Sequence, residues 1–147
     1  MSPVAFVNTI TINRAPAEVF AYLATFENVP RWNYAIAQTR QVGDEPLGVG
    51  TRYRQIRTIP KRAEEYFEVT EFEPQRRLAI RGDIGPFSGD IAYLLEDART
   101  GTALTNTCTL HARGAGALFA PLLTRQVSSA VAANLDVLRQ LLERGEA

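Results

Sequence analysis

Two neutral polar side chains and one acid are the residues of this sequence best suited to chemistry. Tyr93 and Asn106 could each hydrogen-bond a carbonyl or hydroxyl of a bound molecule. The plainer alternative is that they satisfy one another across a hairpin. Asn134 interrupts an apolar stretch and has the same two readings: a bond to a ligand, or a bond to a backbone carbonyl of the first strand or a short helix. Glu65 could act as an acid or base beside Arg57, or be half of a structural ion pair. His111 is the sole histidine and lies off the inward face, so a multi-histidine metal centre is ruled out and no metal is expected. Cys108 shares a face with no histidine that could activate its thiol, and reads as a small buried residue. The glycines around Thr51 make no phosphate loop, because a strand follows them and no Gly-Lys-Ser/Thr does. No catalytic residue is assigned on this basis, and no cofactor is expected.

The elements that must position these groups begin with a long helix, predicted over Leu118–Leu142. Phe119, Leu123, Val127, Ala130, Asn134, Leu138 and Leu141 recur at three- and four-residue steps and share one face. Such a helix is about 38 Å long at about 1.5 Å per residue, enough to cross a small domain. Before it, Val4–Ile12 alternates as a first strand, and Pro16 opens a short helix carrying Val19, Phe20 and Leu23. Asn28 starts a second short turn with Pro30 and Trp32. The following segments read as strands: Ala35–Val42, Thr51–Thr58, Arg62–Phe72, Arg77–Arg81, Phe87–Leu95 and Thr102–His111. Gly82, Gly85 and Pro86 read as an interruption, and Asp97–Gly101 as a hairpin turn.

Alternation then sorts the side chains. The last hairpin should set Tyr93 against Asn106 and Ile91 against Cys108. A hairpin around Pro60 with Arg57 opposite Glu65 would also set Gln55 opposite Phe67 and Tyr53 opposite Val69. The inward set mixes aromatic, aliphatic and neutral polar groups, which suits the wall of a small-molecule pocket better than a solid core. The candidate ligand-contacting residues are Trp32, Tyr53, Gln55, Phe67, Val69, Phe87, Ile91, Tyr93, Asn106, Cys108, Phe119, Leu123, Val127 and Asn134. Trp32 would pack the short helices against the pocket mouth.

Composition narrows the class of partner. The chain has 147 residues, 46% hydrophobic and 22% charged, which fits one globular domain over 1–147. Sixteen basic and sixteen acidic residues cancel, so no nucleic-acid footprint is visible. Arg52, Arg54, Arg57, Lys61 and Arg62 cluster, but Glu64, Glu65 and Glu68 follow at once and read as their cross-strand partners. One cysteine permits no intramolecular disulfide, no signal peptide is visible, and no apolar run reaches a membrane span of about 18 residues. A cytoplasmic protein without a membrane span is the expectation.

Strand, two short helices, a long antiparallel sheet and one long helix is the order of the helix-grip fold. The segments "INRAPAEVFAYLATFENVPRWN" (12–33), "GVGTRYRQ" (48–55), "YFEVTEFEPQRRLAI" (66–80), "GPFSGDIAYLLE" (85–96) and "ANLDVLRQLLE" (133–143) resemble the polyketide cyclase/dehydrase-like branch of the START-related superfamily. The resemblance covers nearly the whole chain. It implies an α+β fold: a curved seven-stranded antiparallel sheet wrapped around a long C-terminal helix, with two short helices after strand 1. It implies a small hydrophobic partner, lipid- or polyketide-like, held between sheet and helix. The alternative it implies is a cyclase- or dehydratase-type enzyme in the same cavity, with Tyr93, Asn106 and Glu65 as acid–base candidates. A protein-interaction role is the third reading. Fold analogy does not choose among these.

Overall fold

A computed structural model describes residues 4–112 and 120–145, with the backbone alone for Ala112 and for 120–124. The chain runs β1 (Val4–Ile12), α1 (Pro16–Ala24), a 3-10 turn (Phe26–Asn28), α2 (Val29–Trp32), β2 (Ile36–Val42), β3 (Arg52–Arg57), β4 (Ala63–Glu73), β5 (Arg77–Ile84), β6 (Phe87–Ala98), β7 (Gly101–Ala112) and α3 (Ala120–Arg144). All seven strands form one antiparallel sheet in the order β1-β7-β6-β5-β4-β3-β2. The chain therefore starts on one edge and crosses to the other through the short helices. It then returns hairpin by hairpin until β7 lies against β1. Packing across this sheet is α3, with β1 the strand it meets most extensively. This is the helix-grip architecture.

The short helices follow from local chemistry and are held by packing. Pro16 occupies the first turn of α1, where its missing N–H costs nothing. Nine residues are too few for a stable isolated helix. Val19, Phe20 and Leu23 are buried against the sheet, and the Phe20 ring meets the Phe72 ring edge-on at 5.5 Å. Phe26, in the 3-10 turn, packs on Tyr53 and Phe67 at 4.8 and 5.3 Å.

The last hairpin has the expected register, with Tyr93 opposite Asn106 and Ile91 opposite Cys108. Its strands run further than expected and leave only Arg99 and Thr100 as the turn. The hairpin around Pro60 is shifted by two residues from the expectation. Gln55 faces Glu65, Arg57 faces Ala63, and Tyr53 faces Phe67 rather than Val69. A shift of two preserves parity, so every side chain keeps its face. The stacked rings of Tyr53 and Phe67, 5.2 Å apart and 12° from parallel, favour the observed register.

Two further boundaries differ. β5 continues through Gly82 to Ile84, where an interruption was expected, so the turn is confined to Gly85–Pro86. On α3 the buried side chains include Leu135 and Leu142, outside the expected stripe, while Leu141 is only partly covered. A helix laid across a curved sheet brings more than one line of side chains into contact. Leu135, Leu138 and Leu142 are essentially fully buried, each contributing roughly 1.5–3 kcal/mol. The expected contacts of Phe119 and Leu123 lie outside the described residues.

A cavity between the sheet and the C-terminal helix

The core is divided. One cluster gathers Ile12, Val19, Leu78, Leu95, Leu104, Leu135, Leu138 and Leu142 with the rings of Phe26, Tyr53 and Phe67. A smaller one gathers Phe87, Cys108 and Leu110 with Phe6, Ile84, Ile91 and Val127. A cavity of about 370 Å³ borders both. Its wall is mostly apolar: Leu23, Phe26, Val29, Trp32, Phe67, Ile80, Ile84, Phe87, Ile91 and, from α3, Val127, Ala130 and Val131. The neutral polar groups of the wall include Gln55, Tyr93, Gln126 and Asn134. Asn33, Tyr34, Ile59 and Pro60 also line it, and there Tyr34 (61% exposed) and Ile59 (44%) stand open to solvent.

Paired glycines help to keep the space open. Gly82 and Gly89 face each other across β5 and β6, and both border the cavity. A Cβ on Gly82 would sit 2.2 Å from the Tyr66 carbonyl oxygen and 2.6 Å from Phe67 Cα. A Cβ on Gly89 would sit 2.3 Å from the Thr109 carbonyl oxygen. The neighbouring strands approach so closely that only glycine fits. The same pair withdraws two side chains from the wall.

One corner of the cavity is ionic. Glu65 is buried (2% exposed) and accepts three hydrogen bonds. These come from Gln55 Nε2 at 2.9 Å, Arg57 Nε at 2.8 Å and the Gly85 backbone N–H at 2.8 Å. The expected ion pair is thus present, although Arg57 reaches Glu65 diagonally from beside Ala63. Gln55 and Arg57 border the cavity; Glu65 stands behind them.

Of the expected residues, Trp32, Gln55, Phe67, Phe87, Ile91, Tyr93, Cys108, Val127 and Asn134 lie together on the cavity wall. Tyr53, Val69 and Asn106 share the concave face but sit in packed core beside it. The Tyr53 ring is covered by Phe26 and Phe67, and burial followed by the Glu27 and Glu45 charges pushes its phenol up to about 12. Asn106 is 1% exposed, and neither Nδ2 nor Oδ1 has a hydrogen-bond partner, so the alternative of a bond to Tyr93 is not made. Its neighbour across β1, Asn8, also leaves Nδ2 buried and unpaired. Asn134 is buried and borders the cavity, and no side-chain hydrogen bond joins it to the first strand or the short helices among the described residues. His111 is exposed, as its parity implied.

The Cys108 thiol and the Tyr93 phenol on the wall hold their protons. Burial, with the Asp90 charge adding, pushes the Cys108 thiol up to about 12. Burial, with Cys108 adding, holds the Tyr93 phenol far above its ordinary range. Near neutral pH both are donors, not bases. Arg57, Gly82, Ile80, Ile84 and the Tyr34 and Ile59–Pro60 loops were missed as wall residues. The Gly82–Gly89 pair was the available signal, since glycine inside a strand marks a close approach. The loops had no signal, because their position depends on distant strands. No group of His, Cys, Asp and Glu among the described residues could hold a metal ion. No helix among them is long and apolar enough to cross a membrane.

Comparison with known proteins places this geometry. The model of the family described as polyketide cyclase / dehydrase and lipid transport matches residues 3–143, so the chain belongs to that family. Three solved structures share the fold over 99% of this chain. The Zhui aromatase/cyclase of Streptomyces sp. R1128 superposes with a TM-score of 0.82 at 15% identity, over 96% of its own length. TTHA0849 of Thermus thermophilus gives 0.78 at 18% identity, over 99% of its length. The di-domain ARO/CYC StfQ of the steffimycin biosynthetic pathway gives 0.80 at 13% identity, over 52% of its length. No curated protein matches the sequence.

Proposed function

We propose that this protein binds a small hydrophobic molecule, lipid- or polyketide-like, in the cavity between the sheet and α3. The observation that carries this reading is the cavity itself: about 370 Å³ of space walled by aliphatic and aromatic side chains with a few polar groups. Ordinary core packing leaves few voids larger than a water molecule. The family description, which includes lipid transport, supports the same reading. The residues proposed to touch the molecule are Trp32, Gln55, Phe67, Phe87, Ile91, Tyr93, Cys108, Val127 and Asn134, together with Arg57. A cytoplasmic setting and the absence of a nucleic-acid partner remain parts of this proposal, resting on the lone cysteine and the balanced charge.

A cyclase- or dehydratase-type enzyme is the second reading, favoured by the family description and by the Tyr93 phenol on the wall. The acid–base candidates weigh against it. Asn106 does not border the cavity, Glu65 is committed to three donors, and Tyr93 stays protonated, which leaves it a donor with no base on the wall to work beside it among these candidates. Native mass spectrometry of freshly purified protein, looking for a co-purified small molecule, tests binding. Equilibrium dialysis against apolar molecules of naphthalene size follows. Protein that carries nothing and retains none of them would overturn the binding reading. An aromatic product formed from a poly-β-keto thioester would replace it with the enzymatic one.

A further inference from the structure

The Arg57–Glu65 pair is the ionic corner of an otherwise apolar cavity. Arg57 spends Nε on Glu65 Oε2 at 2.8 Å. Its terminal nitrogens make no hydrogen bond among the described residues, and its side chain, 14% exposed, borders the cavity. A guanidinium is donor-only and does not lose its proton. Its free N–H groups therefore need an acceptor; the wall is largely apolar, and its carboxylate, Asp83, already accepts from the Tyr66 backbone N–H. The charge of Arg57, by contrast, is already neutralised by Glu65, itself fixed by Gln55 Nε2 and the Gly85 N–H.

We propose that this corner reads a neutral oxygen acceptor, a ketone or similar carbonyl, on an otherwise apolar ligand, and that Glu65 makes it discriminate against carboxylates. The inference rests on the cavity being a binding site and adds the chemical class of its occupant. A carbonyl oxygen accepts from the free N–H groups at no further charge cost. A carboxylate would enter beside Glu65 and meet a like charge in a poorly hydrated site. Removing Glu65's charge should therefore invert the preference.

The test compares three molecules of one skeleton by equilibrium dialysis: 2-acetylnaphthalene, 2-ethylnaphthalene and 2-naphthoate. Wild type should hold the ketone about tenfold or more tighter than the hydrocarbon, as a hydrogen bond to a charged group implies, with naphthoate weakest. In Glu65→Gln, naphthoate should gain and overtake the hydrocarbon. In the double variant Arg57→Met/Glu65→Gln, which buries no lone charge, the ketone's advantage should vanish while the hydrocarbon still binds. Equal binding of ketone and hydrocarbon to wild type, or naphthoate binding tightest, would overturn the proposal and leave the cavity reading standing. Failure of all three, the hydrocarbon included, would overturn the cavity reading and this one with it.

Discussion

Arg57 and Glu65 form an ion pair at 2.8 Å across a hairpin in which neither residue stands opposite the other. Glu65 faces Gln55, and Arg57 reaches it from the next inward position along β3. The diagonal geometry gives Glu65 two side-chain donors instead of one, and the Gly85 turn adds a backbone donor. A buried carboxylate is tolerable only with such satisfaction.

The pair makes the first prediction. Arg57→Met strands Glu65 and should cost about 3–5 kcal/mol. Arg57→Met/Glu65→Gln removes both charges and should recover most of that loss. Urea unfolding of the two variants measures it. A single variant that loses less than about 1 kcal/mol would mean the pair is hydrated and the corner is open to water.

Asn106 and Asn134 should respond alike in stability and differently in binding. Asn106 buries an unpaired amide, so Asn106→Leu should stabilise by about 1–3 kcal/mol and leave affinity alone. Asn134 borders the cavity without a side-chain partner among the described residues. Asn134→Leu should leave stability unchanged or raise it, and weaken an oxygen-bearing ligand by about two- to tenfold. Thermal melts with 2-acetylnaphthalene titration separate the two. A destabilised Asn134→Leu with unchanged affinity would return Asn134 to a purely structural role.

Gly82 should tolerate no side chain. Gly82→Ala places a methyl 2.2 Å from the Tyr66 carbonyl oxygen, so backbone must move, at a cost of at least about 1–3 kcal/mol. Gly48→Ala meets nothing within 4 Å and should stay within about 0.5 kcal/mol of wild type. Equal midpoints in denaturant for the two variants would contradict the close approach of β4 to β5.

Cys108 gives a pH signature. Its thiol, raised from 9.0 to about 12, is held protonated more tightly in the folded state. The associated stability is whole below about pH 9 and is lost as pH rises toward 12, so alkaline unfolding should begin in that window. At pH 8 the folded thiolate fraction is ~1000-fold below that of an ordinary cysteine. Iodoacetamide should therefore label Cys108 rapidly in urea and very slowly in buffer. Comparable rates in the two solutions would show a thiol neither buried nor raised.

Much of this protein is legible from local pattern. Alternation in β1, β6 and β7 sets which side chains face inward, and it does so correctly for Ile91, Tyr93, Asn106 and Cys108. Turn residues mark the hairpins, and hairpins in succession dictate an antiparallel sheet. Period-two and period-3.6 patterns depend on the chain's own geometry, so they survive into the fold. The division of the inward face into wall and core does not. Tyr53, Val69 and Asn106 have the same parity as Gln55, Phe67 and Cys108, yet the former are packed and the latter border the cavity. What separates them is what else covers each point: Phe26 of the 3-10 turn lies on Tyr53, while Gly82 and Gly89 present no side chain where the cavity opens. These contacts join residues far apart in the chain, and only the assembled sheet and helix decide where space is left over.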